Sequence, residues 1–125
     1  ALIVLSRDGD RDVRDYAVFA LGSHTELDTP ELREALYTAM TDSDHEIRGE
    51  ALVGLAFRGD QRVKPALLEE WKSDEISILS LEAAEALGDP DLLPCLEEMG
   101  ELLDEEADEY FREQLAASLV ACGGE

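Results

Sequence analysis

The feature that most constrains this chain is a short pattern that recurs four times. In its clearest copy the pattern starts at Ile47 and Arg48 and continues through Ala51 and Leu52 to Leu55. The four copies start at corresponding apolar positions, which are Val13, Ile47, Leu79 and Phe111. The intervals between these starts are 34, 32 and 32 residues. A near-constant period of roughly 20–50 residues is typical of a solenoid, in which each unit packs only on its neighbours.

The spacing of apolar residues predicts that the whole chain is helical. Val13, Ala17, Ala20 and Leu21 fall at i, i+4, i+7 and i+8, which places them on one face of a helix. Turn and capping residues separate such stretches, and no run of alternating β-branched residues is long enough to indicate a strand. We therefore expect an all-α fold in one domain, residues 1–125, built from helical hairpins. The predicted repeats are 1–22, 29–57, 60–88 and 89–122, and the first of them is incomplete.

The recurring phrase Asp-x-Asp-x-x-[Val/Ile]-Arg-x-x-Ala-x-x-Ala-Leu-Gly, preceded by a Pro-x-Leu-x-x-Ala-Leu helix, resembles HEAT repeats. It is most similar to the short HEAT-like subtype of phycobilisome lyases, and the resemblance covers nearly all of the chain. The resemblance implies an α-solenoid, a right-handed α-α superhelix whose concave side is lined by the arginine-bearing helix of each hairpin. The implied concave helices are 10–22, 44–57, 75–87 and 108–121, and the outer helices are 1–6, 29–41, 60–73 and 89–103.

The net charge of −21 limits the partners that the chain can have. Nucleic acids and anionic membrane surfaces bind through Lys and Arg, so neither is an expected partner. A basic protein or a cation is compatible with this charge. The sequence shows neither a signal peptide nor an apolar run near the ~18 residues of a membrane span, and Cys95 and Cys122 are isolated thiols. We therefore expect a cytoplasmic protein.

Three copies of the pattern place an acid one helical turn before the recurring arginine. These i, i+4 pairs are Asp10–Arg14, Asp44–Arg48 and Asp108–Arg112. The acid lies on the N-terminal side, which is the favourable order on a helix. In the remaining copy both positions are uncharged, so the two charges are lost together. We predict that the partners touch, and that all six residues are structural and bridge neighbouring loops.

The motifs give little support to an enzyme. Deoxyhypusine hydroxylases, which are HEAT-repeat proteins, bind two irons through His-Glu dipeptides on their inner helices. The matching positions here have Glu50 and Glu82, but Gly49 and Leu81 replace the histidines, so half of that ligand set is missing. Phycobilin lyases share the repeat subtype, yet the repeat does not itself specify their chemistry. We expect no catalytic residue, no metal site and no cofactor.

The concave face holds the predicted partner-binding residues. By the family analogy the inward-pointing residues are Tyr16, Phe19, Glu50, Val53, Glu82, Glu85 and Gln114. Aromatic side chains beside carboxylates suit a basic or amphipathic peptide. For Tyr16 and Phe19 an equally weighted alternative is that a preceding repeat covers them in a longer protein.

These observations predict a non-enzymatic scaffold that holds a protein or peptide on its acidic concave face. Two alternatives stay open. One is a bilin lyase-like or metal-dependent component of a HEAT-repeat enzyme, which bound pigment or metal would reveal. The other is a purely structural segment of a larger protein, which would have no partner of its own.

Overall fold

The computed structural model describes residues 2–23, 27–72, 76–103 and 108–123, and every regular element in these ranges is helical. The elements in chain order are α1 (Leu2–Leu5), α2 (Arg11–Ser23), α3 (Pro30–Ala39), α4 (His45–Phe57), α5 (Val63–Glu70), α6 (Ile78–Leu87), a 3₁₀ turn (Pro90–Leu92) leading into α7 (Leu93–Leu102), and α8 (Glu109–Ala121). The predicted all-α solenoid fold is confirmed.

Polar side chains at the helix starts account for several of these boundaries. Asp44 accepts hydrogen bonds from the backbone N–H groups of Glu46 and Ile47, at 2.9 and 3.2 Å, and so caps α4. Thr29 caps α3 by accepting from the Leu32 N–H at 3.1 Å. Each cap satisfies N–H groups that have no partner within the first turn.

The helices form two layers. Helices α2, α4, α6 and α8 pack against one another in that order and form what we call the inner layer. Helices α1, α3, α5 and α7 each pack on the inner helix that follows them in the chain. The tightest packing between successive units therefore lies in the inner layer, which is the arrangement that a curved solenoid needs on its concave side.

Glycines allow the inner helices to approach very closely. A Cβ atom added to Gly54 would lie 2.6 Å from the Cα of Gly22, so the backbones of α2 and α4 are in direct contact there. On the other side of α4, a Cβ added to Gly49 would lie 2.7 Å from the Cβ of Leu79 in α6. Both distances are shorter than a carbon–carbon contact allows. The spacing of the inner layer thus depends on the lack of a side chain at these positions.

A continuous apolar core fills the space between the two layers. Its largest fully buried apolar side chains are Leu36, Ile47, Leu55, Leu67, Leu81, Leu92 and Leu96. Burial of each such side chain contributes about 1.5–3 kcal/mol. The buried hydroxyl of Ser118 donates to the backbone oxygen of Leu81 at 2.7 Å, which ties α8 to α6 without leaving a polar group unpaired.

Ion pairs join the loops of successive units. The Arg11 Nε atom lies 2.8 Å from Asp44 Oδ2, and the Arg14 Nε atom lies 2.8 Å from Asp42 Oδ2. The partners are 33 and 28 residues apart, so each pair reaches from one unit to the next. The hydrogen bond from Arg11 holds the pKa of the Asp44 carboxyl well below its usual range.

This pairing corrects the prediction drawn from the i, i+4 spacing. Arg14 pairs with Asp42 and not with Asp10, whose side chain accepts from the N–H groups of Asp12 and Val13 at the start of α2. A carboxylate at a helix start points towards the backbone N–H groups of its own first turn. The arginine one turn later can therefore reach the loop of the following unit.

The same correction applies to the second copy. Arg48 donates to Glu70 Oε1 at 3.4 Å rather than to Asp44. In the last copy Asp108 caps α8 through the backbone N–H groups of its first turn, and this is the contact that its side chain makes. The six residues thus lie at unit boundaries and helix starts. A stabilising role for all six, Arg112 included, stays a prediction.

We predict that Gly54→Ala destabilises the fold by about 1–3 kcal/mol, because the new Cβ overlaps the backbone of the neighbouring helix. Urea unfolding gives the measurement. The matched control is Gly100→Ala in α7, where an added Cβ meets nothing within 4 Å. That variant should gain about 0.5–1 kcal/mol from its higher helix propensity. Equal effects from both substitutions would show that the inner helices can move apart without cost.

We also predict that Asp42→Ala costs about 2 kcal/mol, because its carboxylate is only 10% exposed and loses a charged hydrogen bond from Arg14. In a double-mutant cycle, Arg14→Ala should cost less in the Asp42→Ala background than in the parent, since the pair is already broken. The remaining cost reflects the hydrogen bonds from Arg14 to the backbone oxygens of Asp8 and Gly9. Glu69→Ala is the control. The Glu69 side chain is 77% exposed, so its ion pair with Lys72 should contribute nothing measurable to the free energy of unfolding. Additive losses in the cycle would mean that the two residues act separately.

Candidate partner-binding face

The exposed surface of the inner layer, called here the inner face, carries several large aromatic side chains. Tyr16 and Phe19 of α2 are 66% and 39% exposed. Phe57 of α4 is 66% exposed and Tyr110 of α8 is 57% exposed. Aromatic residues at protein surfaces are over-represented where other proteins bind. Phe57 and Tyr110 were missed by sequence reasoning, because each lies at a helix end, outside the two turns taken as inward-pointing.

A groove of about 590 Å³ crosses the inner face at α4, α6 and α8. It is lined by apolar, neutral polar and acidic side chains, namely Ser23, Val53, Phe57, Glu82, Glu85, Ala86 and Gln114. The structure therefore brings four of the predicted face residues together: Val53, Glu82, Glu85 and Gln114. Val53 is only 6% exposed and belongs to the floor of the groove. Tyr16 and Phe19 lie on α2, outside the groove lining.

Hydrogen bonds from α8 hold the two acidic side chains of the groove. Gln114 Nε2 donates to Glu85 Oε1 at 2.9 Å. The Tyr110 hydroxyl donates to Glu82 Oε1 at 3.4 Å. Both donors are neutral groups that restrict the positions of the two side chains without adding a positive charge. The groove is thus a negatively charged depression with an apolar floor.

Glu50 occupies a different environment from the other predicted face residues. It is half-buried between α2 and α4, and its Oε2 atom is buried with no hydrogen-bond partner. Asp15 Oδ1 is also buried without a hydrogen-bond partner. One oxygen each of Asp15, Glu46 and Glu50 lies within 4.8 Å of the others, and we call these three residues the carboxylate cluster. Glu50 therefore offers a partner much less surface than the sequence analysis expected.

Burial, followed by the close approach of the Asp15 carboxylate, raises the pKa of Glu50 to about 8. Arg11 pairs with the other members of the cluster, at 2.6 Å from Glu46 Oε2 and 3.6 Å from Asp15 Oδ2. A guanidinium group thus lies beside the carboxylate cluster.

The two glutamates that match the hydroxylase His-Glu positions lie in different surroundings. Glu50 lies in the carboxylate cluster on α2 and α4, whereas Glu82 lines the groove on α6. Gly49 and Leu81, which replace the histidines, are both buried in helix packing.

Among the residues that the structure describes, none of the helices has both the length and the apolar character of a membrane span.

Residues 1–88 match the family model of HEAT repeats. This match covers more than half of a chain that also has the helical hairpins and two layers described above, so the chain belongs to the HEAT repeat family. The narrower phycobilisome lyase subtype stays a prediction.

The relatives are bacterial proteins. The chain is 38% identical to Protein YibA of Escherichia coli strain K12 over 98 residues, which are 78% of this chain and 35% of YibA. The match to YibA of Escherichia coli O157:H7 has the same values. The X-ray structure of E. coli YibA gives a TM-score of 0.78 at 33% identity, over 95% of this chain and 42% of that chain. The chain therefore spans about a third of the length of these curated relatives.

We predict that Glu50→Gln removes a pH-dependent part of the stability. In the folded chain Glu50 keeps its proton up to a pKa of about 8, compared with 4.5 for an unperturbed Glu. The contribution of this proton to the free energy of unfolding is fully present below pH 4.5 and is lost as the pH rises through 8. Urea unfolding at pH 5.5 and 8.5 therefore gives the free energy of unfolding of both proteins. Between these pH values the parent should lose more of this free energy than the variant does, by on the order of 1 kcal/mol, which corresponds to a pKa shift of one unit.

Glu97→Gln is the control for this experiment, because Glu97 is exposed on α7 and should leave the difference between the two pH values unchanged. If Glu50→Gln and the parent lose the same stability over this range, then Glu50 is ionised throughout and the carboxylate cluster does not hold a proton.

Proposed function

We propose that this HEAT-repeat chain is a non-enzymatic scaffold whose inner face binds a basic or amphipathic protein or peptide. The observation that carries the proposal is the groove, which combines two carboxylates with an apolar floor and an exposed aromatic ring. Tyr16 and Phe19 extend the same face along α2. We place this binding in the cytoplasm, with no nucleic acid and no membrane as partner.

The distribution of charge supports a basic partner. The chain has 31 acidic and 10 basic side chains, so its field attracts cationic surfaces over a distance of about one Debye length. Arg11 and Arg14 of α2 and Arg48 of α4 form ion pairs with acids near the boundaries between units. This leaves Glu82 and Glu85 as the charged groups that line the groove.

The aromatic residues supply the apolar part of such an interface. In protein interfaces a few well-packed side chains, often aromatic, contribute most of the binding free energy. Phe57 and Tyr110 flank the groove, and Tyr16 and Phe19 provide further apolar area. A partner that is both basic and apolar on one side, such as an amphipathic helix, would contact both kinds of group.

The test is a capture experiment from a lysate of the source organism, followed by calorimetric titration with the captured protein. The groove variant is Glu82→Gln/Glu85→Gln, which removes two charges but keeps the shape of the side chains. We expect it to bind at least tenfold more weakly than the parent, a loss of about 1.4 kcal/mol. Raising the salt concentration should weaken the parent complex but affect the variant less.

The matched control is Glu97→Gln/Glu101→Gln, which removes the same charge from exposed positions on α7. It should bind the partner nearly as well as the parent does. If both double variants lose affinity equally, net charge rather than the inner face determines binding. If the parent captures no protein, or carries a pigment or a stoichiometric metal, the proposal is overturned in favour of a structural segment or an enzyme component.

A further inference from the structure

We propose that the groove between α4, α6 and α8 is a recognition site for a single arginine side chain of the partner. This inference rests on the proposed function and names the chemistry that would be recognised there. The groove volume of about 590 Å³ lies within the usual range of binding pockets, which is roughly 300–1,000 Å³.

The two carboxylates of the groove are placed for a planar cation. Glu82 and Glu85 lie at i and i+3 on α6, so their side chains project from the same side of the helix. In the described part of the chain the hydrogen bonds to them come from neutral donors of α8, the Tyr110 hydroxyl and the Gln114 amide. Each carboxylate therefore has remaining acceptor capacity, and no cation of the described residues is paired with it. A guanidinium has five N–H donors in one plane and can bridge two such groups.

The rest of the groove fits the remainder of an arginine side chain. Phe57 is 66% exposed and provides an aromatic face on which a guanidinium can stack. Val53 and Ala86 form apolar surface for the aliphatic stem of the side chain. A lysine would find the same charges, but its ammonium group cannot bridge two carboxylates in a plane or stack in the same way.

The molecule already contains one complete example of this arrangement. The Arg62 guanidinium lies 2.9 Å from Glu34 and 2.9 Å from Asp60, and it stacks 4.3 Å from the centre of the Tyr37 ring. Two carboxylates and one aromatic ring thus hold an arginine at the α3–α5 edge. Among the described residues that line the groove are the same kinds of group, Glu82, Glu85 and Phe57, and no arginine. A partner arginine would complete it.

The test uses three capped tripeptides as probes: acetyl-Leu-Arg-Leu-amide, the same peptide with lysine, and the same peptide with citrulline, which has the shape of arginine without its charge. Each is titrated into the ¹⁵N-labelled protein at constant ionic strength, and the backbone amide shifts are followed. We expect saturable shifts around Phe57, Ala86 and Gln114. The dissociation constant for the arginine peptide should be at least fivefold lower than for the lysine peptide, and citrulline should not saturate.

Two variants test the contribution of each group. Glu82→Gln/Glu85→Gln should abolish saturation by the arginine peptide, while Glu97→Gln/Glu101→Gln should leave it unchanged. Phe57→Leu keeps an apolar side chain but removes the ring, and should reduce the preference for arginine over lysine to less than twofold. Thermal unfolding of each variant shows whether it is folded, and the exposure of these side chains favours that outcome.

Three results would overturn the arginine site: equal affinity for arginine and lysine, saturation by citrulline, or shifts spread over all acidic surfaces. Any of these leaves the proposed function standing if the captured partner still requires Glu82 and Glu85. If the partner binds the groove variant as well as it binds the parent, the proposed function fails instead, whatever the peptides do. The two experiments therefore separate failure of the arginine site from failure of the inner face as an interface.

Discussion

The backbone contact between Gly22 and Gly54 determines how the units of this solenoid can stack. With no side chain between them, α2 and α4 approach until backbone atoms touch, and Gly49 allows a similarly close approach of α4 to α6. The outer helices contact one another far less than the inner helices do. The groove lies on the closely packed inner layer, where side chains of α4, α6 and α8 line it.

The stacking of the units also explains where several basic side chains form their ion pairs. Successive units bring their loops together, and Arg11, Arg14, Arg33 and Arg62 form ion pairs across those boundaries. Arg58 also makes contacts within the chain, because it donates hydrogen bonds to the backbone oxygens of Leu21, Gly22, Gly54 and Leu27. Ten basic residues are too few to neutralise 31 acids. Several of these basic residues hold units together, and among the described residues that line the groove the charged ones, Glu82 and Glu85, are both acidic.

Sequence reasoning found part of the face and misjudged part of it. The repeat register placed Glu82, Glu85 and Gln114 on one surface, and the structure brings these three residues to one groove, since equivalent positions of identical units face the same way. Glu50 occupies an equivalent position but lies against Asp15 of the preceding unit, and no single-helix pattern contains that contact. Phe57 and Tyr110 were overlooked because their exposure depends on neighbouring helices and not on their own helical phase. The i, i+4 pairing expected for Asp10 and Asp44 is not seen for a related reason, since these two acids cap their own helices.

The sequence by itself determined the all-α class, the solenoid architecture and the approximate position of each helix. These follow from local information: apolar periodicity, capping residues and a repeat length that recurs along the chain. Only the tertiary structure decided which arginine pairs with which acid, which carboxylate is buried, and which side chains surround the groove. Those properties arise from distances between residues about one repeat apart, and such distances depend on how closely two helices pack. In this chain that closeness depends on a few glycines whose packing role no local pattern shows.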